Sequence, residues 1–486
     1  MNEDLLKLQP ERLWFYFVEI LKIPRPSKKE DKIIKYLLDF GKKNNLETIQ
    51  DETGNVLIRK PASGGMENIK SVVLQSHIDM VCEKNNNVDH DFNNDPIDTR
   101  IDNGWVKAKG TTLGADDGIG IAVQLAILKA DDIKHGPIEC LFTIDEESGL
   151  TGAFGLKSGF LKSNILLNLD SEDDGELFIG CAGGKDTVIK FKYNNEEVPQ
   201  DYIAYKITVS GLVGGHSGDD IQKGRANANK ILNRILWHSS VKYDLRLSKF
   251  DGGNLRNAIA REAYAVICLP PEKEDYFINY IEEFSKVAKS EYKITEPDLK
   301  ISYKKIEKPN FLIDEQTQYN LLNSIYACPH GVIAWSAEIP NFVETSTNLA
   351  SVKTLEKEII LTTSQRSSVE TAKDDIGNMV ASVFNLAGAK VEHTDGYPGW
   401  TPNPNSQIVE ITRNSYQELF NEEPKVLAIH AGLECGLIGD VYPKMDMISY
   451  GPTIKGAHSP DERLKIDTVK KFWDLTLDVL KKIPEE

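Results

Sequence analysis

Three short apolar runs in the first 170 residues each end in a side chain able to bind a metal ion. Residues 71–74 lead into Gln75-Ser76-His77, residues 138–144 into Asp145-Glu146-Glu147, and residues 165–169 into Asp170. Helix-like segments separate the runs, notably 118–130. Short apolar strands alternating with helices predict an α/β fold with a mainly parallel sheet. In open sheets of this kind, ligands bind in the crevice outside the carboxyl ends of the strands. A chain that places acids and histidines just past those ends is expected to do its chemistry along one sheet edge.

The middle of the chain reads as α+β. Strand-like stretches at 203–209, 243–250 and 258–268 alternate with helix-like stretches at 225–237 and 275–290. A similar order at 299–305, 315–327, 345–353, 358–365 and 370–387 suggests a duplicated unit. The chain turns proline-rich at Pro398, Pro402 and Pro404, then returns to a helical pattern, an apolar run at 445–450 leading to His458, and an amphipathic helix at 466–482. The expected organisation is a discontinuous catalytic domain (1–185 and 396–486) with an inserted α+β lid domain (186–395). A length of 486 residues suits two or three domains.

Composition narrows the function classes. The formal net charge of −17 argues against nucleic acid as a partner. No apolar stretch approaches the roughly 20 residues of a membrane helix, and no basic region leads into an apolar leader. Six cysteines without a CxxC pair predict buried free thiols rather than a thiol metal site. A soluble protein in the reducing cytoplasm is expected.

Taken singly, the candidate ligands say little: Asp116-Asp117 beside Gly118 suits a helix cap, and Glu146-Glu147 suits a solvated loop. Their joint placement after apolar runs carries the argument. Mixed imidazole and carboxylate donors suit zinc, with cobalt or manganese as alternatives. Two divalent ions about 3.5–4 Å apart polarise a carbonyl and lower the pKa of a water. Such a pair needs one bridging carboxylate and about two further ligands per ion. Asp116 as the bridge, with His77, Glu147, Asp170 and His458 around it, supplies that count. Glu146 is then available as an uncoordinated general base, and Asp79, two residues from His77, as the partner that orients the imidazole.

The motifs Ser76-His77-Ile78-Asp79, Gly114-Ala115-Asp116-Asp117-Gly118, Asp145-Glu146-Glu147-Ser148-Gly149, Asn168-Leu169-Asp170 and Gly456-Ala457-His458-Ser459 occur in that order. The sequence thereby resembles the two-zinc metallopeptidases that include carboxypeptidase G, the aminoacylases and several dipeptidases. Gly214-Gly215-His216-Ser217-Gly218 and Asn257-Ala258-Ile259 extend the resemblance into the middle of the chain. Gly252-Gly253-Asn254-Leu255-Arg256-Asn257, Gln365-Arg366-Ser367-Ser368 and His430-Ala431-Gly432-Leu433-Glu434-Cys435-Gly436 look closest to the branch of bacterial aminoacyl-histidine dipeptidases. Ala260 departs from the proline many relatives carry there, which touches none of the ligands.

The resemblance implies that His77 and Asp170 complete one ion's shell and Glu147 and His458 the other's, with Asp116 bridging and the Asp116–Asp117 peptide bond cis. It implies Glu146 as general base and then acid, with Asp79 orienting His77. His216 would stabilise the oxyanion, and Asn257 and Arg366 would hold the substrate carboxylate. His430, Gly432 and Glu434 would line the pocket, Glu434 meeting the free amino group. The expected activity is hydrolysis of Xaa-His and other unblocked, carnosine-like dipeptides, with closure of the inserted domain completing the site. An N-acyl amino acid deacylase or carboxypeptidase keeps the same chemistry with another substrate. A non-catalytic peptide or metal binder is disfavoured, because it has no use for an uncoordinated base. Either a monomer or a homodimer through the inserted domain is compatible with the sequence.

Overall fold

The computed structural model describes residues 2–485. It divides into two compact units. The first runs to Gly180 and resumes over Trp400–Ala428 and from Leu433 onward; the second is Cys181–Gly399 with Ile429–Gly432. The sequence reading assigns residues 429–432 to the first domain. They group with the second because the Ala182 amide donates to the carbonyls of Ile429 and Ala431.

The first unit is built on an eight-stranded mixed sheet in the order Glu47–Gln50, Val56–Lys60, Ile138–Thr143, Val72–His77, Ile165–Asn168, Asp446–Ser449, Glu176–Cys181, Lys425–Ile429. The four middle strands pair in parallel, and Glu47–Gln50, Val56–Lys60 and Glu176–Cys181 join on in antiparallel fashion. Every residue of Val72–His77 and Ile138–Thr143 is buried, as parallel strands covered on both faces require. The register sets His77 opposite Thr143 and Gln75 opposite Asn168. The strands thus end level with one another, and the chain segments that follow them leave from the same edge. The helix Ala115–Lys129 is apolar nearly all round and buried along almost its whole length, which marks it as a core helix rather than an amphipathic surface one. A separate four-stranded antiparallel sheet joins Thr99–Asp102 and Trp105–Ala108 to the hairpin Ile454–Lys455 and Arg463–Lys465. His458 sits in the loop of that hairpin.

The second unit contains the duplication, in a different form from the one the sequence suggests. One copy runs Ile203–Ser210, Ala228–Lys242, Arg246–Gly252, Ala263–Leu269, Glu274–Glu291, Lys300–Ile306. This is a strand-helix-strand-strand-helix-strand unit with sheet order fourth, first, third, second, the split βαβ arrangement. The other copy is Gly183–Lys192, Glu315–Ala327, Val343–Thr354, Glu358–Ser367, Glu370–Leu386, Lys390–His393, with the same order reversed. The two second strands join at Asp251↔Lys353 and Gly252↔Val352 into one sheet. The sequence reading opens the second copy at 299–305; that strand instead closes the first. The second copy takes its first strand from Gly183–Lys192, so one copy is nested inside the other. Residues from all four helices, among them Ile235, Ile281, Leu321 and Phe384, share one core with Ile207, Phe250 and Ile267 of the sheet.

Among the described residues the six cysteines form no disulfide, and five of them are buried. Among the described residues no helix is long and apolar enough to cross a membrane.

Candidate metal centre

His77 is the last residue of its strand, Asp170 lies two residues past Ile165–Asn168, and Glu146 and Glu147 open a one-turn helix just past Ile138–Thr143. Asp116 stands at the start of the core helix, where Asp116 and Asp117 have non-helical backbone angles. The peptide bond between them is cis. Gly114 before them has φ 68°, in the left-handed region that glycine enters without strain.

These elements bring five side chains together. His77 Nε2 lies 3.0 Å from Asp116 Oδ1 and 3.4 Å from Asp170 Oδ1. His458 Nε2 lies 3.2 Å from Asp116 Oδ2 and 3.0 Å from Glu147 Oε2. The two oxygens of one carboxylate therefore face two different donor sets, His77/Asp116/Asp170 and Asp116/Glu147/His458, each close enough to hold one ion. Asp79 is fully buried. Its Oδ1 lies 3.2 Å from His77 Nδ1 and accepts the Glu146 amide at 3.0 Å. Its Oδ2 accepts the Ser27 hydroxyl at 2.7 Å and the Glu147 amide at 3.2 Å. One carboxylate thus fixes the imidazole and the backbone of the Glu146-Glu147 pair, the arrangement expected behind a metal-binding histidine.

The donor set fits divalent cations. Glu147 Oε1 is buried without a hydrogen-bond partner, although its other oxygen faces His458. Burial pushes the Asp170 carboxyl up to about 6 and Glu172 up to about 8, and holds Glu146 well above the usual carboxylate range. Hydrogen bonding to Asp116 and Glu147 raises His458 to about 11. Burial works to lower His77, yet the carboxylates of Asp170, Asp116 and Asp79 outweigh it and raise its pKa. So many buried acids keep their charge only when cations or protons balance them. Imidazole and carboxylate donors suit zinc, cobalt or manganese rather than copper(I).

Glu434 is fully buried. Its Oε2 accepts from Gln75 Nε2 at 2.6 Å and Thr143 Oγ1 at 2.8 Å, while Oε1 is buried without a partner. Burial raises its carboxyl to about 7.

A second group of predicted residues lies within the second unit. Arg366 is 7% exposed. It donates to Tyr397 Oη at 2.9 Å and Ser217 Oγ at 3.3 Å, with His216 Nε2 at 3.4 Å. Among the described residues its guanidinium makes no ion pair, although its charge helps to lower the pKa of Asp219, whose Oδ2 lies 3.3 Å from His216 Nδ1. Asn257 is exposed, and its backbone carbonyl accepts the Ser217 amide at 2.8 Å, which places it beside His216. His430 is buried with Nε2 2.7 Å from Ser346 Oγ; burial and the Arg366 charge lower its pKa to about 3. A Cβ on Gly432 would meet the Tyr397 ring at 2.8 Å, so glycine lets the chain pass close to the tyrosine that holds Arg366. His430 falls in the second unit and Glu434 in the first, although one short motif carries both. The sequence reading does not single out Tyr397, which no local motif marks and which accepts from Arg366.

Residues 73–482 match the family described as Peptidase family M20/M25/M40. The chain is 44% identical over 481 residues to the cytosol non-specific dipeptidase of Escherichia coli (strain K12), covering 99% of each. Its structure is similar to the crystal structure of aminoacylhistidine dipeptidase from Vibrio alginolyticus, with TM-score 0.94 and 45% identity over 100% of both chains. The aminopeptidase PepT of Bacillus cereus shares the fold at TM-score 0.58 and 16% identity, covering 98% of this chain and 99% of its own. With its motifs in order, its parallel strands bringing these side chains to one edge, and full-length likeness on this scale, the chain belongs to peptidase family M20/M25/M40.

Proposed function

We propose that this peptidase is a metal-dependent dipeptidase acting on dipeptides with free amino and carboxyl ends, Xaa-His among them, in the cytoplasm. The names of the two full-length relatives support the substrate class. The observation that carries the reading is Asp116, whose two oxygens face separate donor sets with Glu146 alongside. His77, Asp116 and Asp170 would hold one ion and Asp116, Glu147 and His458 the other, zinc being the first candidate and cobalt or manganese the alternatives. Bound ions would polarise the scissile carbonyl and lower the pKa of the attacking water.

The chain's own residues do the rest. Glu146 takes a proton from the attacking water and returns it to the leaving amine nitrogen as the peptide C–N bond breaks. Asp79 keeps His77 in one orientation and anchors the Glu146 backbone. His216 donates to the oxyanion that develops on the carbonyl oxygen. Arg366, held by Tyr397 and Ser217, takes the substrate carboxylate with Asn257, as its planar fork suits. Glu434, with one buried oxygen unpartnered, accepts the free amino group.

Hydrolysis of carnosine and a panel of dipeptides, with metal stripped and then restored, tests the reading. Metal-restored cleavage of free dipeptides, with none of their N-acetylated forms, is expected. Cleavage of the acetylated forms alone would instead identify a deacylase. Arg366→Ala is expected to raise KM for free dipeptides by about 10- to 100-fold, the worth of a charge-assisted hydrogen bond of about 1.5–3 kcal/mol. Carboxyl-amidated dipeptides should change little, and an equal rise for both would remove Arg366 from carboxylate binding.

A further inference from the structure

Four residues beyond His458 the first unit buries a carboxylate whose hydrogen-bond partners are all backbone amides. Glu462 is 2% exposed. Its Oε2 accepts from Leu113 N at 2.6 Å and Gly114 N at 2.9 Å, and its Oε1 from Ala115 N at 2.8 Å and Asp116 N at 3.4 Å. Four consecutive amides converge on one anion because the chain is not helical here. Gly114 has φ 68°, and Asp116 and Asp117 have (φ, ψ) of (−81°, 113°) and (−102°, 41°). Successive N–H groups in such a turn form a concave anion cradle. The carboxylate that fills it comes from the hairpin that also carries His458.

From the other side the same loop is gripped by Arg25, likewise 2% exposed. Its guanidinium donates to the carbonyls of Ile78 at 3.1 Å, of Asp79 and of Gly114. It therefore ties the turn just past His77 to the turn just before Asp116. A Cβ on Gly114 would sit 2.8 Å from Arg25 Nη2, so only glycine leaves room for the grip. Burying a carboxylate or a guanidinium is unfavourable by several kcal/mol unless its hydrogen bonds are made. Here both sets are made to backbone, at the two turns that present metal ligands.

Resting on the two-ion reading above, we propose that Glu462 and Arg25 are positioning residues for the bridging carboxylate: Glu462 sets Asp116 against His458, and Arg25 sets Asp116 against His77. Neither touches substrate. Each transmits the geometry of one donor set to the shared ligand.

The test is a zinc titration of the metal-stripped full-length protein against a chromogenic chelator, with kcat and KM measured on a free dipeptide. Wild type should take up two zinc ions. Glu462→Gln keeps the shape but turns one acceptor into an amide N–H donor facing the cradle. It is expected to weaken one of the two sites by about 10- to 100-fold, the usual effect of removing support behind a ligand, and to leave the other unchanged. The kcat at limiting zinc should fall, with KM within about twofold, and excess zinc should recover most of the loss. Glu462→Asp, which keeps the charge, should recover part of the affinity. Arg25→Lys should act on the same shared ligand and also lower zinc affinity. Two wild-type affinities in folded Glu462→Gln would overturn the proposal, as would equal weakening of both sites. Unfolding of Glu462→Gln and Glu462→Asp alike would also overturn it, since the carboxylate would then serve stability alone. Failure of wild type to bind two ions would overturn the two-ion reading itself, and is seen separately in the wild-type titration.

Discussion

Glu146→Gln is expected to lower kcat by about 10²- to 10⁴-fold, the range a positioned general base supplies, while the protein still binds two ions. The argument is positional. Asp79 Oδ1 accepts the Glu146 amide at 3.0 Å, so the backbone beneath this side chain is anchored to the same carboxylate that orients His77. A Glu146 oxygen lies within 4.8 Å of donor atoms of His77 and Glu147, close to the ligands yet outside the two sets that share Asp116. Burial, with Asp170, Glu434 and Glu147 adding to it against the pull of His77, raises its affinity for a proton. Glutamine keeps the size and the hydrogen-bonding shape but accepts no proton at this step. Turnover together with bound metal is the deciding pair of measurements. Turnover within a few-fold of wild type would remove Glu146 as base. Loss of an ion would make it a ligand.

Asp116→Asn is expected to reduce metal uptake from two ions to one or none and to lower turnover by about three orders of magnitude, corresponding to several kcal/mol of lost transition-state stabilisation. Each oxygen of Asp116 serves a different donor set, 3.0 Å from His77 Nε2 and 3.2 Å from His458 Nε2. Asparagine retains one oxygen and presents an NH₂ to the other set. The change also removes the negative charge that faces both imidazoles and would help to hold two cations in one small volume. Metal content after dialysis, measured beside His458→Ala, separates the outcomes: a variant that keeps two tightly bound ions would show that Asp116 does not bridge. The core helix that begins beside Asp116 is buried independently of the ligands, so the fold itself should survive the change.

Much of the catalytic unit was legible in the amino-acid order because its signals are local. Val72–His77, Ile138–Thr143 and Ile165–Asn168 appear as apolar runs, since both faces of a central parallel strand are buried. The polar residue that ends each run marks the sheet edge where chemistry collects. Arg366 and His216 carried motifs of their own, though Tyr397, Arg366's partner, did not. The duplicated unit is only half legible. Apolar spacing marks its four helices and six of its strands but not Gly183–Lys192 or Lys390–His393, and it does not give the pairing, because it marks a strand without naming its neighbour. Lys300–Ile306 pairs with Ile203–Ser210, and only that pairing shows which copy it closes.

What the sequence by itself determined is the inventory: the strand ends, five candidate ligand residues, a further acid proposed to carry the proton, and the break in the chain where a second unit is inserted. These follow from side-chain type and short-range spacing, which are properties of a few neighbouring residues. The tertiary structure alone decided which oxygen of Asp116 faces which histidine, that Asp79 serves both His77 and the Glu146-Glu147 backbone, and that Glu462 meets four amides some 350 positions earlier in the chain. Backbone amides and carbonyls are the same at every position. Which distant ones meet a given side chain is settled when the strands pair and the hairpins dock, because buried polar groups must find partners in the space that packing leaves them.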